Sequence, residues 1–250
     1  MNLTVNNIKF SYPGKEVLKD AGFEAKQGEL VAILGPNGTG KTTLLKCINQ
    51  VLKPTAGSVI IGSEDITKLK GKDLAKRIGY VEQHHHRSMN TVFDAVLLGR
   101  TPHIGCRIHS NDIEIVGSVL QELGLSDFSM RYLEQLSGGE LQKVAIARAI
   151  AQKPKILLMD EPTNHLDLKN QVDVMQSIRA ITLSADITSV ISMHDLNLAL
   201  RYADRFILMK EGRIYAAGDA GIITESNIAQ VYALPVEILE HGTRRIVVPA

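Results

Sequence analysis

Nine residues constrain this chain more than any others: Gly35-Pro36-Asn37-Gly38-Thr39-Gly40-Lys41-Thr42-Thr43. A glycine, four residues and then Gly-Lys-Thr is the spacing of a phosphate-binding loop. The apolar run Leu30-Val31-Ala32-Ile33-Leu34 leads into it, and a helix-like run from Thr43 to Leu52 leads out. That is the strand–loop–helix setting the motif requires. Glycines let the backbone curl until successive N–H groups point at one anion, and the helix N-terminus adds partial positive charge. Lys41 suits the outer phosphates and the Thr42 hydroxyl suits Mg²⁺. The spacing predicts a nucleotide site.

Around the loop, apolar runs alternate with helical ones. Leu3 to Phe10 and Val17 to Ala25 read as strands, separated by a turn at Tyr12-Pro13-Gly14. Pro54 and Gly57 close the first helical stretch. Ser58 to Gly62 and Ile78 to Val81 read as further strands, the second ending near Gln83, with a helical Leu74 to Arg77 before it. From about Asn90 to Ala151 the pattern turns helical: Val92, Ala95 and Val96, then Ile113, Val116, Leu120 and Leu123, then Val144, Ala147 and Ile150. Strand-like runs resume at Ile156 to Met159 and Ile187 to Ser192, and Glu211-Gly212 is placed to turn a hairpin between Asp204–Met209 and Arg213–Ala216. The alternation predicts an α/β sheet with parallel central strands and an inserted helical lobe.

Composition narrows the setting. A chain of 250 residues can bury a sizeable core. A net charge of +1 does not advertise a polyanion-binding surface, so a nucleic-acid partner is not expected. Apolar runs stay far below the ~20 residues of a membrane helix, and Met1 to Asn7 shows no signal-peptide pattern. Cys47 and Cys106 lack metal spacing. Cys47 reads as a small buried hydrophobe in a reducing compartment, and a soluble cytoplasmic protein is the expectation.

Two more stretches carry chemistry. Ile156 to Glu161 is an apolar strand ending in adjacent carboxylates. Beside a phosphate loop, Asp160 suits Mg²⁺ held largely through water, and Glu161 suits orienting or deprotonating an attacking water. Leu136-Ser137-Gly138-Gly139-Glu140 opens a helical run, either as a second anion-binding N-terminus or as a helix cap.

With these residues the chain resembles, over essentially its whole length, the nucleotide-binding subunit of an ATP-binding-cassette (ABC) transporter. Leu136 to Glu140 is similar to the family signature, Gly35 to Thr42 to the Walker A loop and Ile156 to Glu161 to the Walker B strand. Asn164-His165-Leu166-Asp167 resembles the D-loop, Gln83 the Q-loop glutamine, His194 the switch histidine and Tyr12 the aromatic A-loop residue. The resemblance implies a phosphate-loop NTPase (RecA-like) core sheet with an antiparallel β-subdomain, built from about 1–83 and 152–250, and a helical subdomain at about 84–151, all one ABC ATPase domain. It implies a head-to-tail dimer with two ATP molecules between the chains. Ser137, Gly138 and Gly139 would then contact the γ-phosphate held by the partner, with Glu140 and Asp167 in the same nucleotide-binding set. Tyr12 would stack on adenine. Gln83 would touch Mg²⁺ or the attacking water and couple the site to the helical lobe, and His194 would meet the γ-phosphate.

The absence of membrane helices favours an importer cassette with a separate permease. Leu97-Leu98-Gly99-Arg100-Thr101-Pro102-His103, His194 to Ala199 and the tail Thr224 to Tyr232 resemble cassettes of iron-siderophore, haem and cobalamin importers, with molybdate or tungstate carriers as a related branch. Ferric siderophore is the expected cargo. The expected partners are a second copy, an integral membrane permease and, indirectly, an extracytoplasmic substrate-binding protein, at the cytoplasmic face of the cell membrane. The rival readings are a cassette acting on nucleic acid or the ribosome, an exporter subunit, and a phosphate-loop kinase of small molecules. The run His84-His85-His86 reads as a solvated loop near the permease contact, because adjacent residues do not converge on one metal.

Overall fold

A computed structural model describes residues 1–83, 88–242 and 244–250, so the His84-His85-His86 run lies outside the described residues. Strands β1 (Leu3–Tyr12) and β2 (Lys15–Ala25) form an antiparallel hairpin. The fully buried β3 (Leu30–Leu34) enters the phosphate loop, and α1 (Lys41–Ile48) leaves it. Then come β4 (Ala56–Ile61), β5 (Glu64–Asp65), α2 (Gly71–Ala75) and β6 (Ile78–Val81). Three helices follow: α3 (Val92–Leu97), α4 (Ser110–Glu122) and α5 (Gly138–Ala151). The remainder is β7 (Ile156–Asp160), α6 (Leu168–Ser184), β8 (Thr188–Met193), α7 (Leu196–Tyr202), β9 (Arg205–Lys210), β10 (Arg213–Gly218), α8 (Glu225–Tyr232), β11 (Val236–His241) and β12 (Arg244–Pro249).

The main sheet runs in the order β5-β4-β1-β2-β10-β9-β3-β8-β7-β6. Its half from β9 to β6 is parallel, and its other half is an antiparallel arm joined by a single parallel register between Arg213 and Asp20. Side-chain alternation explains why the parallel half reads as continuous apolar runs. Leu30, Ala32 and Leu34 enter the core on the α5–α6 side, whereas Val31 and Ile33 enter the core shared with α1. In β7, Leu157 and Met159 take the first side and Ile156 and Leu158 the second. A strand covered on both faces has no polar face to show. The β9–β10 hairpin turns on Glu211 (φ 50°) and Gly212 (φ 79°), two left-handed residues in a two-residue loop.

The segment that resembles metal-chelate cassettes proves to be a clamp on the helical lobe. A Cβ on Gly99 would lie 2.0 Å from the Arg148 carbonyl oxygen, so only glycine lets this turn lie against the last stretch of α5. Arg100 is buried; its Nε donates to Asp112 Oδ1 at 2.9 Å and its Nη1 to the Ala151 carbonyl at 2.7 Å. Asp112 Oδ2 accepts from the His109 N–H at 3.1 Å, and His103 Nε2 meets the Gln152 carbonyl at 2.8 Å. Among the described residues no helix is long and apolar enough to cross a membrane.

The Arg100 hydrogen bond first, and the His109 N–H second, hold the Asp112 carboxyl below the usual carboxylate range. Its contribution is therefore complete above about pH 4 and fades as pH falls through the lowered folded value. Arg100→Ala strands a buried carboxylate. Its thermal unfolding near neutral pH should drop well below that of Arg77→Ala, which removes only the exposed Arg77–Glu64 pair and costs at most about 1 kcal/mol. Equal melting temperatures for the two variants would contradict the clamp.

Candidate active site

The phosphate loop leaves β3 with Gly35 at φ 151°, where a Cβ would stand 2.4 Å from the Met209 carbonyl of β9. The loop ends at Gly40, and α1 starts without any side-chain cap and without an acidic residue in its first turn. Its leading N–H groups therefore stay open to an anion. Lys41 is 4% exposed, and its ammonium donates to the carbonyls of Gly35 at 2.6 Å and Pro36 at 3.1 Å. Burial pushes its pKa down, while Glu161 and Asp160 pull it back up. Pro36 also accepts from the Thr39 hydroxyl at 3.0 Å, which stiffens the loop.

Facing the loop is the end of β7. Asp160 is buried, and its Oδ1 accepts from Thr42 Oγ1 at 3.0 Å and from Ser192 Oγ at 2.6 Å. The chain then turns through Glu161 at φ 48°, with the Glu161 N–H shared between Ser192 Oγ at 3.0 Å and the Ser192 carbonyl at 3.2 Å. Non-glycine residues sit in that region only when their surroundings hold them there. Here the turn aims the carboxylate into the cavity. Glu161 Oε2 accepts from Gln83 Nε2 at 2.8 Å and from Asn164 Nδ2 at 3.1 Å, and Oε1 pairs with His194 Nε2.

One cavity of about 600 Å³ is lined by Tyr12, Lys41, Thr42, Gln83, Glu161, Asn164 and His194, while Gly35, Pro36, Thr39 and Asp160 are not in its wall. Asn37, Gly38, Gly40 and Thr43 belong to the same wall. Tyr12 is 43% exposed in the cavity wall, its ring perpendicular to that of Phe10 with centroids 4.9 Å apart. The donor set suits Mg²⁺. Thr42 and Asp160 offer hard oxygen ligands side by side, and Gln83, with its amide nitrogen on Glu161, has an amide oxygen to offer. Among the described residues no group of three or more His, Cys, Asp or Glu forms a metal cage. Mg²⁺ bound to phosphates and water needs only one or two protein ligands.

Ser137, Gly138, Gly139, Glu140 and Asp167 do not line this cavity. Ser137 caps α5 in a closed capping box: its N–H and hydroxyl donate to Glu140 Oε2 at 2.8 and 2.7 Å, and its Oγ accepts from the Glu140 N–H at 3.4 Å. Those two bonds from Ser137, hydroxyl first, pull the Glu140 pKa down. Asp167 caps α6. Of the two helix starts, α1 is open, and α5, read as either an anion site or a cap, is capped by its own side chains. Cys47 is buried, which pushes its thiol up to about 12, and Cys106 is exposed.

The sequence reading gave no separate role to Ser192 or Asn164. Ser192 is a fully buried hydroxyl one residue from the end of β8, but Thr188 and Ser189 of the same strand are buried hydroxyls too, so only its place at the strand end facing the phosphate loop could have marked it. Asn164 stands inside the D-loop run with nothing local to mark its bond to Glu161.

Comparison with known proteins identifies the family. The ABC transporter family profile matches residues 18–164. An uncharacterized ABC transporter ATP-binding protein of Methanocaldococcus jannaschii is 52% identical over 249 residues, covering 100% of this chain and 98% of that protein. A phosphonates import ATP-binding protein of Nitratidesulfovibrio vulgaris is 37% identical over 92% of this chain and 91% of its own length. A petrobactin import ATP-binding protein of Bacillus subtilis is 32% identical over 97% of each. Among solved structures, a transporter assigned to the metal-chelate type, in an inward-facing conformation, superposes with TM-score 0.85 at 29% identity, covering 99% of this chain and 96% of that one. A dimeric bacterial ABC transporter cassette superposes with TM-score 0.76 at 32% identity, covering 87% and 98%. An open phosphate loop, paired strand-end carboxylates and full-length likeness to cassette proteins leave one conclusion: the chain belongs to the ABC transporter family, as one of its ATP-hydrolysing subunits.

Proposed function

We propose that this chain powers an importer, hydrolysing ATP at the cytoplasmic face of a membrane to drive uptake of a metal chelate, ferric siderophore first, through a separate permease fed by a substrate-binding protein. The observation that carries the catalytic part is the Glu161 carboxylate, turned into the phosphate-loop cavity and held by Gln83, Asn164 and His194. The full-length likeness to a transporter of metal-chelate type and to a petrobactin import protein supports the cargo. The phosphonate import relative favours a second cargo class, a small oxyanion. Gly99 and Arg100 of the segment that resembles metal-chelate cassettes are buried in the clamp, so those two residues are a poor guide to cargo.

Chemically, the chain's work is positioning and charge stabilisation. The loop from Gly35 to Thr43 and the open start of α1 cradle the phosphates. Lys41 is already desolvated, and it exchanges its bonds to the Gly35 and Pro36 carbonyls for the outer phosphates. Thr42 and Asp160, with Gln83, would hold Mg²⁺, which when bound neutralises phosphate charge. Glu161 accepts a proton from, or orients, the attacking water, and His194 steadies that carboxylate before meeting the γ-phosphate. Tyr12 stacks on the base. Ser137, Gly138 and Gly139, with the capped Glu140 and with Asp167, serve the nucleotide bound by a second copy, in keeping with the dimeric form of a related cassette.

Two substitutions test this. Glu161→Gln keeps the shape of the side chain but removes its basicity. Steady-state ATPase should fall by about 10²-fold or more while ATP still binds, and brisk turnover would remove Glu161 from the chemistry. Ser137→Arg lies outside the chain's own cavity. Equilibrium ATP binding to the isolated chain should match the parent while hydrolysis is lost, and a parent-like rate would exclude the shared site.

A further inference from the structure

Asn170 lies in the first turn of α6 and touches two stretches that are far apart in sequence. Its backbone N–H donates to Asp167 Oδ1 at 2.8 Å, and its side-chain Nδ2 donates to Asp167 Oδ2 at 3.0 Å. One residue thus engages both oxygens of the Asp167 carboxylate. The other side of the same amide faces α5. A Cβ built on Gly139 would stand 2.6 Å from Asn170 Oδ1, 2.7 Å from Cγ and 3.1 Å from Cβ, well inside ordinary contact. At Gly138 the corresponding position has room, its nearest neighbour being Leu166 Cδ2 at 3.6 Å. Gly139 is buried, whereas Ser137 and Gly138 before it are exposed.

We infer that Asn170 is a positioning residue that fastens the signature end of α5 to the Asp167 turn of the same chain. Asn170 fills the space a side chain at 139 would take, so the two stretches lie in direct contact. Both are proposed to meet the partner's nucleotide, and the inference rests on that shared-site reading. Their fixed spacing removes a freedom that docking would otherwise have to restrict. Neither stretch lines the chain's own loop cavity. Disturbing the contact should therefore change turnover and leave the isolated chain's ATP affinity alone.

The test uses the purified full-length chain. Gly139→Ala should lose most of its kcat with equilibrium ATP binding unchanged. Combining it with Asn170→Ala, which clears the space, should raise kcat at least about tenfold above Gly139→Ala alone, within the coupling that contacting residues give. No recovery in the double variant, or a fully active Gly139→Ala, overturns the inference. A second variant serves if Gly139→Ala does not fold. Asn170→Asp keeps the shape but sets a carboxylate against Asp167, so it should lower kcat at unchanged ATP affinity, and a parent-like kcat overturns the inference. Ser137→Arg in the same panel separates the two ideas. If it hydrolyses ATP normally, the shared site itself has failed; if it is inactive and the double variant shows no rescue, only the role of Asn170 falls.

Discussion

A single oxygen of Asp160 holds together the three segments that make the site. It belongs to the last residue of β7, accepts from Thr42 in the first turn of α1 and accepts from Ser192 near the end of β8. An unpartnered carboxylate this deeply buried would be costly, and two hydroxyl donors offset the burial. Ser192 then serves twice, because its hydroxyl and carbonyl also receive the Glu161 N–H. The turn that aims Glu161 at the cavity therefore depends on the bond that ties β7 to β8. From that turn the carboxylate reaches Gln83 after β6, Asn164 after β7 and His194 after β8. Three parallel strand ends meet on one acid, as the ends of parallel strands commonly do around a ligand.

The two helix starts divide the labour. The N-terminus of α1 has no side-chain cap and begins with a desolvated lysine, so it presents an anion site. The N-terminus of α5 is satisfied by Ser137 and Glu140 and holds its shape without a ligand. It leaves Ser137 and Gly138 exposed, away from the loop cavity. A preformed, exposed edge of this kind suits docking against a nucleotide already held elsewhere.

What was legible in the sequence was local. The phosphate loop, the apolar run into Asp160 and Glu161, and the Glu211-Gly212 hairpin each carry their reason within a few residues. Boundaries were less legible. The helix expected from Thr43 to Leu52 begins at Lys41, because the loop hands its last glycine straight to the first turn, and it ends at Ile48, before Gln50 turns left-handed. α6 escaped notice because the one apolar residue of its first turn, Leu168, is exposed and its buried face begins only at Val174. The β11–β12 hairpin was missed too. Among the described residues its strands pair only with each other, and its ties to the rest include a reciprocal pair of bonds between Asn197 of α7 and the Val247 backbone, 3.1 and 2.8 Å long, with further bonds from the Ile238 N–H to Glu225 and from Arg245 to the Ala220 carbonyl. No window of sequence shows a contact across 50 positions. The same holds for the Gln83–Glu161 bond, which joins a loop glutamine to a strand-end acid 78 positions away.

The central claim is that the phosphate loop of one chain and the signature of another share each ATP. Sedimentation equilibrium of the full-length Glu161→Gln chain, with and without ATP and Mg²⁺, addresses it directly, since slow turnover would preserve the assembled state. The account predicts a shift from the mass of one chain to twice that mass on adding ATP, and no shift when Ser137→Arg is also present. A single-chain mass at saturating ATP, or a doubled mass that ignores Ser137→Arg, would contradict it.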